Sequence, residues 1–328
     1  MKLQRTGTGW LAMAAAIWTG CATGKSEGGE DSGGRDTSAF DGDTGDTGVT
    51  DEGPPRLLES GTHTLEHDGI ERSFRLQVPF DVAPGAPLIV VMHGYSSSAA
   101  SIQHYSGWDA LAEEHGLVVA YPQGSEDGWG NAYFEVGYDF HDGQVDDVGF
   151  ILALIDRVVE DQGLDADAVF ATGMSNGGDM SYKLACEADH RVRAIAPIAG
   201  TMMASLAESC SPAAPVPVLE VHGTNDEITL WDGDPDNAHG WGAYLSTDDV
   251  MDHWVRHNAL TAYAVEQLDD IDPRDGSTVR LHTWSNDARD TAVWLYEVEG
   301  GGHDWPGAWG NMDIHAAEVA WAFFATRL

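Results

Sequence analysis

The sequence has 328 residues, with 54 acidic and 16 basic side chains, and its formal net charge at pH 7 is −38. A surface this acidic repels nucleic-acid phosphates and anionic lipids, which excludes both as partners of the folded part. We also expect salt to stabilise the protein by screening its self-repulsion, as suits saline surroundings.

Residues 1–21 are predicted to be a lipoprotein-type signal peptide. Lys2 and Arg5 precede a short apolar stretch at 10–18, which is typical of a secretory signal and too short to cross a membrane. The small residue before Cys21 resembles a bacterial lipobox, in which the cysteine is lipidated and becomes the mature N-terminus. We therefore expect an exported protein that contacts a membrane only through a lipid on Cys21. The alternative is cleavage nearby and a freely secreted product.

Residues 22–57 are predicted to be a disordered acidic linker. They are rich in Gly, Asp, Thr and Ser and contain almost no large apolar side chain, so they cannot bury enough surface to offset the entropy of ordering. A chain of this length would span roughly 30 Å on average. The run 41–46 weakly resembles a calcium loop, but it lacks the central glycine and flanking helices, and the linker interpretation is preferred.

Residues 58–328 are predicted to form one catalytic domain in which strands and helices alternate. A hairpin at 62–66 and 74–78 turns at Asp68-Gly69. The later elements are strand 88–92, helix 107–115, strand 117–121, helix 147–162, strand 168–172, a helix containing 180–186, strands 194–199 and 216–221, helix 246–257, strand 292–298 and a closing helix with Ala316, Val319, Phe323 and Phe324. Such alternation predicts a mostly parallel sheet covered by helices on both faces.

The motif Gly173-Met174-Ser175-Asn176-Gly177 follows the predicted strand 168–172 and precedes a predicted helix. A strand–turn–helix unit of this kind lifts a serine hydroxyl out of the sheet, where a base can reach it. A Cβ atom at Gly173 or Gly177 would collide with the sharply folded backbone. Ser175 is therefore the predicted nucleophile.

Three further strands end in polar residues that could serve this serine. These polar residues are Tyr95 after strand 88–92, Asp226 after strand 216–221 and His303 after strand 292–298. Open α/β sheets place their sites at the carboxyl ends of the strands, so these groups are expected to converge. We predict that His303 is the general base and that Asp226 orients it. The backbone N–H groups of Tyr95 and Asn176 are predicted to form the oxyanion hole.

Several residues compete with these assignments. Asp232 and Asp234 are rivals of Asp226, but they lie deeper in a polar loop. His93 and His222 each close a strand before a glycine, and a structural role is preferred for both. Neither an H-E-x-x-H motif nor a paired C-x-x-C motif is present, so the sequence implies no metal and no cofactor.

Five tryptophans lie in predicted loops on the side of the sheet where the catalytic groups should assemble. They are Trp129, Trp231, Trp241, Trp305 and Trp309. Their indole faces could stack on a phenolic acyl group, a sugar or a polyester chain, or they could anchor long loops by packing. Both interpretations stay open, and the five residues are candidates for substrate binding.

The cysteines indicate a disulfide. With Cys21 assigned to the lipid, Cys186 and Cys210 remain as a pair. In an exported protein a disulfide is the expected state, and it would contribute about 2–4 kcal/mol to stability. Two buried free thiols are the alternative.

Six separated motifs of this chain occur in the order that one known family shows. They are Pro87-Leu88 to His93-Gly94, Val145 to Phe150, Gly173 to Gly178 with Met180, Leu184-Ala185-Cys186, His222-Gly223-Thr224 with Asp226, and Gly301-Gly302-His303 with Trp305-Pro306-Gly307. Over about residues 60–328 the chain resembles the secreted polyhydroxybutyrate depolymerase and feruloyl esterase family. Trp129-Gly130-Asn131 departs from the adjacent Trp–Asn that relatives usually have. The resemblance implies an α/β-hydrolase fold and a carboxylic-ester hydrolase that uses Ser175, Asp226 and His303.

The expected partner is therefore an ester substrate, and the expected enzyme is a monomeric serine esterase acting outside the cytoplasm. It would cleave hydroxyalkanoate, hydroxycinnamoyl or acetylated polysaccharide esters through an acyl-enzyme. Two alternatives are a serine peptidase on the same fold and a non-catalytic ligand-binding lipoprotein with a degenerate triad.

Overall fold

A computed structural model describes residues 57–141, 145–188, 190–286 and 291–328. The predicted signal peptide, Cys21 and the linker up to residue 56 lie outside the described residues. The described strands are β1 Gly61–His67, β2 Ile70–Gln77, β3 Leu88–Met92, β4 Val118–Pro122, β5 Ser125–Glu126, β6 Ala132–Tyr133, β7 Val169–Met174, β8 Ala194–Ile198, β9 Val218–Gly223, β10 Ala262–Gln267, β11 Thr278–Ser285 and β12 Ala292–Glu299. The described helices are α1 Ala99–Tyr105, α2 Trp108–His115, α3 Asp147–Gln162, α4 Asn176–Glu187, α5 Ala204–Ser209, α6 Thr247–His257 and α7 Ala316–Ala325.

Ten of these strands form a single sheet in the order β1-β2-β4-β3-β7-β8-β9-β12-β11-β10. The six central strands, from β4 to β12 in that order, all run parallel to one another. Antiparallel strands extend the sheet at both ends, β1 and β2 at one and β10 and β11 at the other. The predicted mostly parallel sheet is therefore confirmed. The remaining two strands, β5 and β6, pair with each other in a small hairpin.

Side chains from the two faces of the sheet belong to two separate hydrophobic clusters. Along β3, Leu88, Val90 and Met92 pack in one cluster, while Ile89 and Val91 pack in the other, because successive side chains of a strand point to opposite faces. The first cluster includes buried side chains of α3, α4 and α6, and the second includes those of α1, α2 and α7. Helices thus cover both faces of the sheet, as predicted.

Most predicted elements occur where the sequence placed them, and two of them, β3 and α3, have the predicted bounds. The predicted hairpin is β1–β2, with its turn at Asp68-Gly69. Six of the described elements were not predicted, namely α1, α5, β5, β6, β10 and β11. A local signal for α1 was present, because the hydroxyl of Ser98 accepts a hydrogen bond from the amide of Ser101 at 3.2 Å, as an N-cap does. Strand β10 is exposed along its whole length, so burial imposes no pattern on its side chains.

Cys186, in the last turn of α4, is bonded to Cys210, which follows α5. The predicted disulfide is thus confirmed. A disulfide is typical of proteins from oxidising compartments, which is consistent with export. Among the described helices, none is both long enough and apolar enough to cross a membrane.

Candidate active site

Ser175 occupies a sharp turn between β7 and α4. Its φ is +55°, in a region that a residue with a side chain rarely adopts. Two hydrogen bonds hold the turn: the Ser175 amide donates to the carbonyl of Ile198 at 2.9 Å, and the Ser175 carbonyl accepts from the amide of Asp179 at 2.9 Å. The packing of the surrounding structure therefore maintains a backbone conformation that is unfavourable by itself.

The two glycines of the motif are required by the closeness of strand β3. A Cβ atom on Gly173 would lie 2.6 Å from the carbonyl oxygen of Met92, and one on Gly177 would overlap that same carbonyl group. On the other side, a Cβ atom on Gly94 would lie 3.4 Å from the Cβ of Ser175. The backbone that precedes Tyr95 is therefore packed directly against the serine turn.

His303 and Asp226 form the central hydrogen bond of the site. The distance from His303 Nδ1 to Asp226 Oδ2 is 2.7 Å. The other oxygen of the buried Asp226 carboxylate accepts hydrogen bonds from the amides of Ile228 at 2.8 Å and Thr229 at 2.9 Å. Because the carboxylate accepts from Nδ1, the Nε2 atom of His303 keeps its lone pair for a proton from elsewhere.

The loops that carry these two residues are tied to each other. They follow the neighbouring parallel strands β9 and β12. The amide of Asn225 donates to the carbonyl of Gly301 at 2.9 Å, and the amide of Gly300 donates to the hydroxyl of Thr224 at 2.9 Å. The distance between the histidine and the aspartate is thus set by backbone contacts, not only by the pair itself.

Ser175 opens into a small cleft of about 30 Å³ together with Ile228 and Thr229, the two residues whose amides bind Asp226. Within the described part of the chain, its hydroxyl makes no hydrogen bond, so Ser175 and His303 are not joined directly. Catalytic hydrogen bonds are often long in unliganded enzymes and tighten when the substrate binds. The structure therefore joins His303 to Asp226 and places Ser175 beside the loop that contains Asp226.

The predicted oxyanion-hole amides are both available. Among the described residues, neither the N–H of Tyr95 nor that of Asn176 donates a hydrogen bond. The side chain of Asn176 is buried and bonded on both sides to the backbone of Phe134, with Oδ1 accepting at 2.7 Å and Nδ2 donating at 2.9 Å. The side chain thus anchors the first residue of α4, while its backbone donor stays free.

The phenol of Tyr95 is held by the loop at 123–133. It donates to Asp127 at 2.5 Å and accepts from the side-chain amide of Asn131 at 3.0 Å. Burial, together with the hydrogen bond to the Asp127 carboxylate, raises the pKa of Tyr95 to about 12. Gly130, the residue inserted relative to the usual Trp–Asn pair, has a φ of +83°, and Asn131 still reaches Tyr95.

The five tryptophans are in different environments. Trp241 lines the cleft with Ser175 and makes edge-to-face contacts with Tyr95 and Tyr138 at centroid distances of 5.4 and 5.2 Å. Trp305 is only 2% exposed, and its indole N–H donates to the carbonyl of Ser106 at 3.3 Å. Of the two interpretations left open for Trp305, its burial favours loop packing, because no face of its ring is accessible.

The other three tryptophans lie outside the lining of this cleft. Trp129 is 73% exposed. Trp309 packs on the ring of Tyr105 at a centroid distance of 4.8 Å, and the half-buried Trp231 packs edge-to-face on His222 at 6.0 Å. The indole N–H of Trp309 donates to the carbonyl of His303 at 3.5 Å, so Trp309 lies beside the predicted general base although it does not line the cleft.

A buried charged pair behind Asp226 was missed by sequence reasoning. Glu220 accepts from His222 Nδ1 at 3.1 Å and from the phenol of Tyr182 at 2.8 Å. His222 Nε2 donates to the carbonyl of Thr229 at 2.8 Å and lies 3.7 Å from Asp226 Oδ2. Burial alone lowers the pKa of His222, but the hydrogen bond and charge of Glu220 outweigh it, and the net pKa is raised. The signal was a glutamate inside an otherwise apolar strand, since a buried charge requires a partner.

The rival carboxylate Asp234 has a different role. It accepts hydrogen bonds from the amides of Ala238 and His239, both at 2.8 Å, and from His239 Nδ1 at 3.0 Å. These contacts brace the loop in which Asp234 lies, and they lower the pKa of its carboxyl. Asp226, not Asp234, is the aspartate that binds His303.

A mostly parallel sheet with helices on both faces, and a serine turn, an aspartate and a histidine at the carboxyl ends of β7, β9 and β12, define an α/β-hydrolase. The chain belongs to the Esterase PHB depolymerase family, which it matches over residues 73–255. This membership assigns it to the carboxylic-ester hydrolases.

Individual relatives agree with this assignment. NocK of Nocardia uniformis subsp. tsuyamanensis, whose name describes it as an esterase, is 29% identical to this chain over 254 residues. The match covers 73% of this chain and 72% of NocK. Feruloyl esterase D of Neurospora crassa is 26% identical over 287 residues, covering 83% of this chain and 87% of the relative. The structure of an acetyl xylan esterase from Aspergillus awamori superimposes with a TM-score of 0.59 at 16% identity, over 81% of this chain and 99% of that one. At that identity the likeness shows the fold alone.

Proposed function

We propose that this protein is a serine esterase that works through an acyl-enzyme, with Ser175 as nucleophile, His303 as general base and Asp226 as the residue that orients the base. The observation that carries the proposal is the 2.7 Å hydrogen bond between His303 and Asp226, next to a serine held in a strained turn. Family membership supplies the reaction class.

The proposed reaction begins when Ser175 Oγ attacks the ester carbonyl carbon while His303 Nε2 takes the hydroxyl proton. The carbonyl oxygen becomes an oxyanion, which accepts hydrogen bonds from the free N–H groups of Tyr95 and Asn176. The carbon–oxygen bond to the alcohol then breaks, and His303 gives the proton to the departing alkoxide. Water repeats the sequence on the acyl-enzyme, which releases the acid and restores Ser175.

Asp226 acts by holding the imidazole and by stabilising the imidazolium that forms during each step. Two backbone amides and His303 share its oxygens, so the carboxylate is fixed before substrate arrives. Such prior positioning reduces the entropy that must be lost to reach the reactive geometry.

The proposed substrates are hydroxyalkanoate, hydroxycinnamoyl or acetylated polysaccharide esters. The name of the Neurospora crassa relative supports a feruloyl ester, and the family name supports a polyester of hydroxy acids. The proposed location is outside the cytoplasm, which the disulfide supports. Attachment through Cys21 is tested by labelling cells with a fatty acid: wild type should incorporate the label, and the Cys21→Ala variant should not.

The central experiment measures hydrolysis of a short chromogenic ester by wild type, Ser175→Ala and Ser209→Ala. The exposed Ser209 is a matched control at the end of α5. We expect Ser175→Ala to lose at least about 10³-fold in kcat, and Ser209→Ala to match wild type. A fluorophosphonate should modify the peptide that contains Ser175 and no other. Hydrolysis that survives in Ser175→Ala, or a label on another residue, would overturn the proposal; binding without hydrolysis by wild type would favour the non-catalytic alternative.

A further inference from the structure

The wall of the cleft contains a buried carboxyl group that the proposed mechanism does not use. Asp179 lies in the first turn of α4, lines the same cleft as Ser175 and is 5% exposed. Its Oδ1 accepts from the amide of Thr201 at 2.7 Å, and its Oδ2 accepts from the phenol of Tyr138 at 2.7 Å. A carboxylate offers about four acceptor positions, so these two bonds leave about two of them unfilled.

A hydroxyl donor in the same wall is also unused. The phenol oxygen of Tyr244 accepts from the amide of Leu230 at 3.2 Å, and within the described residues its own hydrogen has no acceptor. Tyr244 is buried and lines the cleft with Asp179 and Ser175. By contrast, the Tyr95 phenol is committed to Asp127, and the Thr201 hydroxyl donates to the carbonyl of Leu245. The cleft therefore presents an unfilled acceptor and an unfilled donor.

A group that satisfies both must donate one hydrogen bond and accept another. A hydroxyl does so with a single heavy atom, whereas an ammonium group has donors only and would leave the Tyr244 hydrogen facing a cation. The space of about 30 Å³ suits a group of this size.

We propose that Asp179 and Tyr244 bind a hydroxyl group of the ester substrate, and so select esters that carry a free hydroxyl near the scissile carbonyl. This inference rests on the proposed function, since it concerns the same cleft. Asp179 accepts the hydrogen of the substrate hydroxyl, and Tyr244 donates to its oxygen. An analogue without the hydroxyl leaves the remaining acceptor positions of Asp179 and the Tyr244 hydrogen unfilled, and an unsatisfied buried polar group is costly.

The environment of Asp179 supports this role. Burial raises the pKa of its carboxyl to about 7, so the group lacks the solvation that an exposed carboxylate has. Hydrogen bonds from Tyr138 and Thr201 offset only part of that cost. A further donor from the substrate therefore has more to contribute here than it would at a solvated carboxylate.

Asp179 also joins α4 to the loop after β8, and the experiment must separate that structural contact from substrate selection. The Asp179→Asn variant keeps the size of the side chain. Its carbonyl oxygen still accepts from the Thr201 amide, and its NH₂ group donates to the Tyr138 oxygen, which reverses the direction of the wild-type bond. The Tyr244→Phe variant removes only the phenol oxygen. Asp81→Asn and Tyr263→Phe are matched controls at exposed positions.

The test compares kcat/KM for two pairs of esters. The acyl pair is p-nitrophenyl 3-hydroxybutyrate and p-nitrophenyl butyrate; the alcohol pair is glycerol monoacetate and propyl acetate. We expect wild type to favour the hydroxylated member of one pair by at least about tenfold, and that pair identifies which half of the ester carries the recognised hydroxyl. Asp179→Asn and Tyr244→Phe should each reduce the ratio towards unity, chiefly by lowering kcat/KM for the hydroxylated ester.

A wild-type ratio near unity in both pairs would overturn the inference while leaving the proposed function intact, because hydrolysis itself would be observed. A ratio that persists in both Asp179→Asn and Tyr244→Phe would overturn it as well. Absence of ester hydrolysis by wild type would instead overturn the proposed function, and the inference with it. If thermal melting shows that one variant does not fold, the other variant decides the outcome.

Discussion

The imidazole of His303 and the carboxylate of Asp226 are joined by a 2.7 Å hydrogen bond although 77 positions separate them in the chain. They meet because β9 and β12 are parallel neighbours in the sheet and the loops that follow them are bonded to each other. The pair therefore depends on the register of the sheet as much as on its own attraction.

Replacing Asp226 by Asn should leave the fold intact and remove most of the activity. The amide of the Asn side chain would favour the wrong tautomer of His303, and we expect kcat to fall by about 10³- to 10⁴-fold with KM little changed. Steady-state kinetics on a chromogenic ester measure this. The exposed Asp232→Asn is the control and should match wild type; equal losses in both variants would contradict the assigned role of Asp226.

Replacing Gly177 by Ala should prevent correct folding of the serine turn. The added Cβ would overlap the carbonyl of Met92 in β3, and backbone atoms of a central strand cannot move aside cheaply. We expect loss of soluble, active protein. Gly128→Ala is the control, since no atom lies within 4 Å of its added Cβ. A Gly177→Ala variant that is soluble and fully active would show that the turn is not as tight as described.

Removing the disulfide should lower stability without changing the site. The bond joins Cys186 to Cys210, with a sequence separation of 24. Because it restricts the unfolded chain, we expect the Cys186→Ser, Cys210→Ser double variant to lose about 2–4 kcal/mol of the free energy of unfolding. Denaturant melts of wild type with and without reductant should show a similar difference. If reductant leaves the midpoint of wild type unchanged, the bond does not contribute as described.

Acid should destabilise the protein through the buried His93. Its Nδ1 donates to the carbonyl of Gly94 at 2.8 Å, and its Nε2 accepts from the amide of Gly124 at 3.0 Å, so the ring is neutral. Burial lowers the pKa of His93 from 6.5 to about 4. Between these values the unfolded state binds more protons than the folded state. The contribution of the buried, neutral His93 to the free energy of unfolding is therefore complete above pH 6.5, and it is lost as the pH falls towards 4.

The size of this effect is measured against the His93→Gln variant. From pH 7.5 to 4, the free energy of unfolding of wild type should fall by about 3 kcal/mol relative to the variant. Asp179, whose pKa is raised to about 7, acts in the opposite sense, but it is common to both proteins and cancels in the difference. His115→Gln, at an exposed position, should show no such difference from wild type. A difference that is independent of pH would contradict the buried, neutral state of His93.

Replacement of Trp241 should affect substrate binding, whereas replacement of Trp305 should affect stability. Trp241 lines the cleft, so we expect Trp241→Ala to raise KM for a bulky ester by about tenfold and to change KM for an acetate ester much less. Because Trp305 is buried, we expect Trp305→Ala to lower the free energy of unfolding by about 3–5 kcal/mol. Trp129→Ala, at an exposed position, is the control for both measurements. A KM effect that is the same for both esters would assign Trp241 to loop packing.

Patterns along the chain were enough to predict the elements that lie next to the site. The bounds of β3 and α3 agree with the prediction because an apolar run and a 3.6-residue period are local properties. The edge strand β10 was missed because its side chains are exposed along their whole length and so carry no burial pattern. The sequence left open whether Trp305 binds substrate or packs a loop, because loop sequence does not show which indole is covered by α1 and its neighbours.

The sequence by itself determined the serine turn, the order of the strands along the chain and the identity of the aspartate and histidine that follow them, since each depends on a short contiguous pattern. Only the tertiary structure decided that Tyr182 of α4 binds Glu220 of β9, and that Asp179 and Tyr244 share a cleft wall with Ser175. The reason is physical: the surroundings of a buried polar group are made by segments distant in the chain, and local periodicity contains no record of which segments meet.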